Sequence, residues 1–375
     1  MSEKVKSSRR KIRYAVVGSG HIAQVAVLPA FKTARNSELV AIVSGDAQKR
    51  EELSKQYGLQ RTYSYEEYGQ ALSEVDAVYI SLPNHLHHEY SVRAAHAGVH
   101  VLCEKPMAVT EEECEAMIQA AEESKTKLMI AYRLHFEKSN LEAVELAKSG
   151  KLGNLRFFST DFAQNVVEGN IRLKEPVEKG GGPVYDMGVY CINAARYLFQ
   201  AEPNEILASS ITGSDPKFKE AGEMVSVVMH FPDDRLANFT CSFGAADIGR
   251  YTLVGTKGTL TADPAYEYAS GTKHRITVEG QTTSKNFPKR DQFAAEITYF
   301  SNCVRNNQEP EPSGLEGLAD VRIVRAIYDS ANSGKSVKLP EFTKKQRPSL
   351  QQEIQHDAHG KPETVNVESP SGEAA

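Results

Sequence analysis

Ile12-Arg13-Tyr14-Ala15-Val16-Val17 runs directly into Gly18-Ser19-Gly20-His21-Ile22-Ala23. The first six residues form a short, largely apolar run, which predicts a buried strand. The next six fit Gly-x-Gly-x-x-Ala. Gly18 permits a tight turn after the strand, Gly20 lets the backbone approach a pyrophosphate, and Ala23 keeps the following helix near the strand. The helix N-terminus then presents unpaired N–H groups to the anion. An ordinary strand–helix turn could use the same residues. The position after a strand and at the opening of a helix is what favours a dinucleotide site.

Outward from this loop the chain alternates strand and helix. Apolar runs at Ile12–Val17, 39–43, 77–82, 99–103 and Leu128–Ala131 are separated by helix-period stretches at Ala47–Tyr57, 87–97 and 111–124. Thr110, with Glu113 three residues on, is a capping-box signal for the last of these. Runs that are apolar throughout suit parallel strands covered on both faces. The repeated unit predicts a doubly wound α/β nucleotide-binding domain of Rossmann type over residues 12–134.

Beyond residue 134 the texture changes. A helix is expected at 141–149, a strand at 156–162, and a helix at 184–199 after Gly180-Gly181-Gly182. Val225, Val227, Met229 and Phe231 fall on alternate positions, as do Ala237, Phe239, Cys241 and Phe243. Such alternation marks a sheet covered on one face. Residues 135–342 are therefore expected to form an α+β domain with a one-sided, largely antiparallel sheet, closed by helices at 291–306 and Gly314–Ser333. Asn238, Thr240 and Ser242 would face water or another subunit. Residues 1–11 are polar and expected to be flexible. Residues 343–375 are rich in Gln, Glu, Pro, Ser and Gly, which predicts a disordered tail. His356 and His359 in it read as solvated surface rather than metal ligands.

A chain of 375 residues has room for two or three domains. With 44 basic against 49 acidic residues and a net charge of −5, no nucleic-acid or membrane-surface partner is expected. No apolar run approaches the ~18 residues of a membrane span. Five cysteines without a Cys-x-x-Cys pair suggest reduced thiols and no metal framework. Arg9-Arg10 runs at once into the first strand rather than into an apolar signal segment, so a cytoplasmic location is expected. The absence of tryptophan weakens a lectin reading.

The second strand bears on the choice of cofactor. An NAD site places Asp or Glu at its end to bind the ribose 2′-hydroxyl. Here the strand ends in Val43-Ser44-Gly45. Ser44 does not repel a 2′-phosphate, and Lys49 or Arg50 would pair with it. NADP is favoured, with NAD left open by Asp46, which stands where an acid could reach the ribose one turn late.

Ligands of open α/β sheets lie beyond the carboxyl ends of the strands. One such end leads into Pro83-Asn84-His85 and another into Glu104-Lys105-Pro106. Proline biases the preceding lysine to extended geometry, which holds Lys105 out at the strand tip. A surface ion pair between Glu104 and Lys105 is the alternative. In the helix from Val184, Asp186, Tyr190, Asn193 and Tyr197 are spaced 4, 3 and 4 and share one face beside a core stripe. They could equally be half-buried boundary residues.

Gly18–Ala23, Glu104-Lys105-Pro106, Tyr132-Arg133 with His135, and the segment from Gly180 to Asn193 together resemble the Gfo/Idh/MocA oxidoreductases over most of residues 12–340. Tyr190, followed by Asn193, Arg196 and Tyr197-Leu198, is similar to the glucose–fructose oxidoreductase branch, as is Val43-Ser44-Gly45. The resemblance implies hydride transfer between a nicotinamide and a sugar carbon, an aldose or ketose as substrate, and a homodimer or homotetramer paired through the one-sided sheet; the lack of a phosphate-specific cluster in the sequence favours an unphosphorylated sugar. A glycosidase that uses its nicotinamide transiently, or a non-catalytic dinucleotide sensor, are the competing readings.

In the implied site Tyr190 is the acid/base, Lys105 its cationic neighbour, and Asp186 the residue that orients the substrate hydroxyl. A free phenol holds its proton to about pH 10. An ammonium ~4 Å away offsets roughly 4 kcal/mol of ionisation at an effective dielectric near 20. Motif and resemblance together mark Gly18, Ser19, Gly20, His21, Ile22, Ser44, Gly45, Lys49, Arg50, Leu82, Pro83, Asn84, His87, Glu104, Lys105, Arg133 and Arg172 as the cofactor site. They mark Lys105, His135, Asp186 and Tyr190 as the sugar site. No metal is implied. The branch's N-terminal arm, which helps enclose its cofactor, is reduced here to about ten residues, so tight cofactor retention is not expected.

Overall fold

The computed structural model describes residues 10–370. The expectation for residues 1–11 falls mostly on residues outside this range. Six strands, β1 (Ile12–Val17), β2 (Ser37–Val43), β3 (Arg61–Tyr63), β4 (Ala77–Ile80), β5 (His100–Glu104) and β6 (Leu128–Ala131), form a sheet in the order β3-β2-β1-β4-β5-β6. Every pairing in it is parallel. The order reverses between β1 and β4, which opens a crevice at their carboxyl ends, where the glycine loop lies. β3 went unread in the sequence because three residues carry too little periodicity. The capping box of Thr110 and Glu113 is present and starts the helix Glu111–Glu123.

After the glycine loop the helix contains a widened turn over Ala23–Val27, in which Leu28 N–H reaches back to the Ala23 carbonyl. Pro29 follows in the next turn. Proline lacks an N–H and crowds the carbonyl four residues back; the wider turn relieves that crowding.

The second sheet has nine strands: β7 (Leu155–Ala163), β8 (Glu205–Ile211), β9 (Met224–Phe231), β10 (Arg235–Ser242), β11 (Ile248–Gly255), β12 (Gly258–Ala262), β13 (Thr272–Val278), β14 (Gln281–Phe287) and β15 (Val337–Lys338). Their order is β14-β13-β12-β11-β7-β10-β9-β8-β15, antiparallel except between β7 and β10. Val225, Val227, Met229, Phe231, Ala237, Phe239 and Cys241 are buried, as the alternation predicts. The outer face is less polar than expected. Leu236 pairs in register with Phe157, and both are over 40% exposed, as is Leu207 two strands away. Ser242 departs from the expectation. It is buried at the strand end, where its hydroxyl accepts a hydrogen bond from Gly244 N–H.

Two parts of the linear division do not hold in space. The helix Gln292–Asn306, assigned by sequence order to the second domain, packs on the first sheet: Phe293, Ile297 and Phe300 share a core with Tyr14, Val16 and Leu102, and Ser301 bonds the Tyr14 hydroxyl at 2.7 Å. Residues 343–370 are not a disordered tail. Lys344 is buried between Glu311 and Glu316, His356 bonds Thr298, and Val365 enters the core beside the first sheet. Polar composition misleads here because the segment docks mostly through backbone groups and ion pairs, with only a few apolar side chains such as Val365 and Ile354 against the core.

Candidate active site

A cleft of about 900 Å³ surrounds the glycine loop, and a cavity of about 410 Å³ lies beyond the tip of β5. They share walls made by His21, Ile22, Leu82, Asn84, Arg172 and Asp186. Gly18, Ser19, Gly20, Ser44, Gly45, Lys49 and Pro83 line the cleft. His87, Glu104, Lys105, Arg133 and Tyr190 line the cavity. Of the residues marked for a cofactor, Arg50 alone lines neither; its guanidinium turns back to the Ser44 carbonyl and secures the strand end.

The loop has the shape that a dinucleotide needs. Gly18 has φ +95°, and a Cβ there would meet the Ser81 carbonyl oxygen at 2.5 Å, so only glycine fits. A Cβ at Gly20 would meet no protein atom within 4 Å, leaving that side for an approaching phosphate. Ser19 and Ser44 join hydroxyls at 2.6 Å across the crevice. Asp46 also lines the cleft, but its carboxylate caps the helix Ala47–Tyr57 by accepting from Lys49 N–H at 3.1 Å. Tyr65 and Lys174, neither marked in the sequence, also line the cleft.

The helix expected at 184–199 begins with a widened turn, Val184–Gly188, and continues as Val189–Phe199. It places Asp186 and Tyr190 on the cavity wall. Asn193 and Tyr197, expected on the same face, are buried instead. Asn193 bonds Glu316, Asp320 and His135, and Tyr197 donates to Asn140. His135 is a correction to the substrate set. It is fully buried, lines neither cavity, and gives Nε2 to Asn193 at 2.8 Å. Burial pushes its pKa down to about 4.

Lys105 Nζ sits 4.8 Å from the Tyr190 ring centroid and the Arg133 guanidinium carbon 5.1 Å from it. The tyrosine therefore has two cationic neighbours, where the sequence suggested one. Lys105 donates to the Asp186 carbonyl at 2.8 Å and to its carboxylate at 3.4 Å. Arg172 pairs with the other carboxylate oxygen at 3.0 Å and with Gln164 at 2.9 Å. Burial opposes ionisation of Asp186, but Arg172 and Lys105 outweigh it and hold the carboxyl below its usual range.

Behind Lys105 lies a pair of carboxyls. The Tyr79 hydroxyl is 2.8 Å from both Glu104 Oε1 and Glu296 Oε1. One hydroxyl proton satisfies one of these bonds, so the second carboxyl must bring its own proton. Burial pushes both carboxyl pKa values up, and Glu104 also raises Glu296. A signal for Glu296 was present: it interrupts the apolar positions Phe293, Ile297 and Phe300 on one helix face. His87 spans the same loops, with ring nitrogens 2.9 Å from the Pro106 carbonyl and 2.8 Å from that of Leu82. Among the described residues no group of three or more His, Cys, Asp or Glu is placed to hold a metal ion.

Residues 12–132 match the family described as "Oxidoreductase family, NAD-binding Rossmann fold", and residues 140–261 match the GFO/IDH/MocA C-terminal domain. The chain is 29% identical over 338 residues to a D-xylose 1-dehydrogenase [NADP(+)] of Haloarcula marismortui, covering 88% of this chain and 93% of that one. It is 31% identical to an oxidoreductase of Rhizobium meliloti, covering 86% and 98%. In structure it is similar to an aldose-aldose oxidoreductase of Caulobacter crescentus complexed with glycerol: 37% identity, TM-score 0.83, with 88% of this chain and all of that one covered.

Proposed function

The chain belongs to the GFO/IDH/MocA family of oxidoreductases, and from that premise we propose that it is an NADP-dependent sugar oxidoreductase acting on an aldose or ketose, with Tyr190 as its acid/base. The observation that carries the reading is Tyr190 itself, held between Lys105 and Arg133 on the wall of a cavity that opens into the glycine-loop cleft. A family member that binds a dinucleotide without chemistry has no need of that arrangement. The similarity to a xylose dehydrogenase and an aldose-aldose oxidoreductase supports an aldose.

The bound nicotinamide supplies the hydride acceptor or donor. Gly18–Gly20 and the helix after them hold its pyrophosphate, and Ser44 with Lys49 accommodates a 2′-phosphate. In the cavity the Tyr190 hydroxyl exchanges a proton with the sugar hydroxyl or carbonyl. Lys105 and Arg133 lie against the Tyr190 ring and put positive charge beside the group that exchanges the proton. Asp186, fixed by Lys105 and Arg172, accepts a hydrogen bond from a second sugar hydroxyl and orients the ring. The five cysteines are buried and unpaired, which supports a reducing, cytoplasmic setting. No helix among the described residues is long and apolar enough to cross a membrane. The outward sheet face with Phe157, Leu207 and Leu236 supports a homodimer or homotetramer.

The test is absorbance at 340 nm with a panel of aldoses and ketoses, each with NADP and with NAD. Turnover with at least one sugar and a preference for NADP are expected. No cofactor reduction or oxidation with any sugar would overturn the reading.

A further inference from the structure

The C-terminal segment crosses the mouth of the nucleotide cleft. Val365 is anchored by a two-point clasp. Its N–H donates to Gln24 Oε1 at 2.7 Å, and its carbonyl accepts from Gln24 Nε2 at 2.9 Å. The same Gln24 amide donates to the Ser19 carbonyl in the glycine loop at 2.8 Å. Gln24 is fully buried, and Val365 sits in the core beside the first sheet. One residue on, the Asn366 amide donates to Gln48 at 3.1 Å, on the helix that follows Ser44. At the far end the Pro370 carbonyl accepts from Val167 N–H at 3.0 Å, in the second domain.

The segment thus spans from the glycine-loop helix to the opposite domain. Asn366, Val367, Glu368 and Pro370 line the 900 Å³ cleft, and Pro370 also lines the cavity of Tyr190. The space beneath it remains large enough for a dinucleotide. Resting on the cofactor reading above, we propose that residues 365–370 are part of the dinucleotide site: a strap that retains the bound cofactor and must unseat before the cofactor leaves. Gln24 couples the strap to the pyrophosphate loop, because one amide holds both.

Asn366 gives the strap a point at which it can be disturbed without touching the core. Its φ is +50° and its side chain is exposed. Proline cannot adopt a positive φ, so Asn366→Pro redirects the strap and leaves the catalytic and glycine-loop residues in place. The experiment loads NADPH onto three proteins and measures its dissociation by the loss of nucleotide fluorescence after displacement with excess NADP. The proteins are the full chain, a chain ending at Glu363, and the full chain with Asn366→Pro. Dissociation about tenfold faster in both altered proteins is expected. A change of less than threefold in Asn366→Pro overturns the strap while leaving the cofactor reading intact. If the full chain binds no NADPH, the cofactor reading and the strap both fall. Thermal unfolding checks the shortened chain, and should it not fold, Asn366→Pro alone decides.

Discussion

Lys105 Nζ lies 2.8 Å from the main-chain carbonyl oxygen of Asp186, so the tip of β5 in one domain is tied to the start of the Tyr190 helix in the other. The bond aims the ammonium: it keeps Lys105 beside the Tyr190 ring and shares its charge with the Asp186 carboxylate. Replacing Lys105 with Ala should lower kcat by 10² or more, the range of general acid–base groups. A kcat within threefold of the wild type in the Lys105→Ala protein would remove Lys105 from that role.

Tyr190→Phe removes the proton carrier and almost no volume. It should cut kcat by 10² or more while NADPH binding, measured by fluorescence titration, changes less than threefold. The double variant with Lys105→Ala should be little worse than either single one, as expected of residues that work as a unit. Full activity in Tyr190→Phe would exclude it as the acid/base and direct attention to Asp186.

Ser44→Asp places a carboxylate where the 2′-phosphate is expected. The ratio of kcat/KM for NADP to that for NAD should fall by at least tenfold, from repulsion of the phosphate and a new bond to the ribose hydroxyl. An unchanged ratio would mean that Asp46 and Lys49, rather than Ser44, set the preference.

His135 predicts an acid-side loss of stability. Its Nδ1 has no hydrogen-bond partner, so protonation would bury an unsatisfied N–H. Its folded pKa is about 4 against an ordinary value of 6.5. Between these values the unfolded chain binds the proton and the native state does not. The stability is therefore fully present above pH 6.5 and lost as pH falls towards 4, up to about 3 kcal/mol in all. Asp320, pushed by burial up to about 7, works in the opposite sense, so the measurement must be a difference. Urea unfolding of the wild type against His135→Gln should show the wild type losing ground as pH falls through that window. Parallel curves would contradict it.

The outward sheet face predicts self-association. Phe157 and Leu236 face each other across β7 and β10 and are 46% and 43% exposed. Sedimentation should show a dimer or tetramer, and Phe157→Glu with Leu236→Glu should weaken it at least tenfold. A wild-type monomer at all concentrations would leave these residues without that role.

Local patterns were legible because they depend on neighbours in the chain. The runs at Ile12–Val17 and Leu128–Ala131, the helix Ala47–Tyr57 and the Thr110 capping box are where the sequence placed them. The site was legible where spacing carried it: Asp186 and Tyr190 from one helix face, Lys105 from a strand tip before proline. Asn193 and His135 looked equivalent to these and are not. Spacing says that residues share a face, but not whether that face meets a cavity or the buried carboxylates of the helix Gly314–Ser333.

By itself the sequence determined the strand–glycine loop–helix unit, the parallel sheet built from its repetition, and many of the residues that line the cleft and the cavity. These follow from local steric rules and from which faces must be buried. Only the tertiary structure decided what buries them. It set Arg133 against Tyr190, brought Glu296 to Tyr79 across more than two hundred residues, and closed residues 365–370 over the glycine loop through Gln24. Contacts of that range leave no periodic trace in the chain, because each is made by a few polar groups whose partners exist only once the backbone has folded.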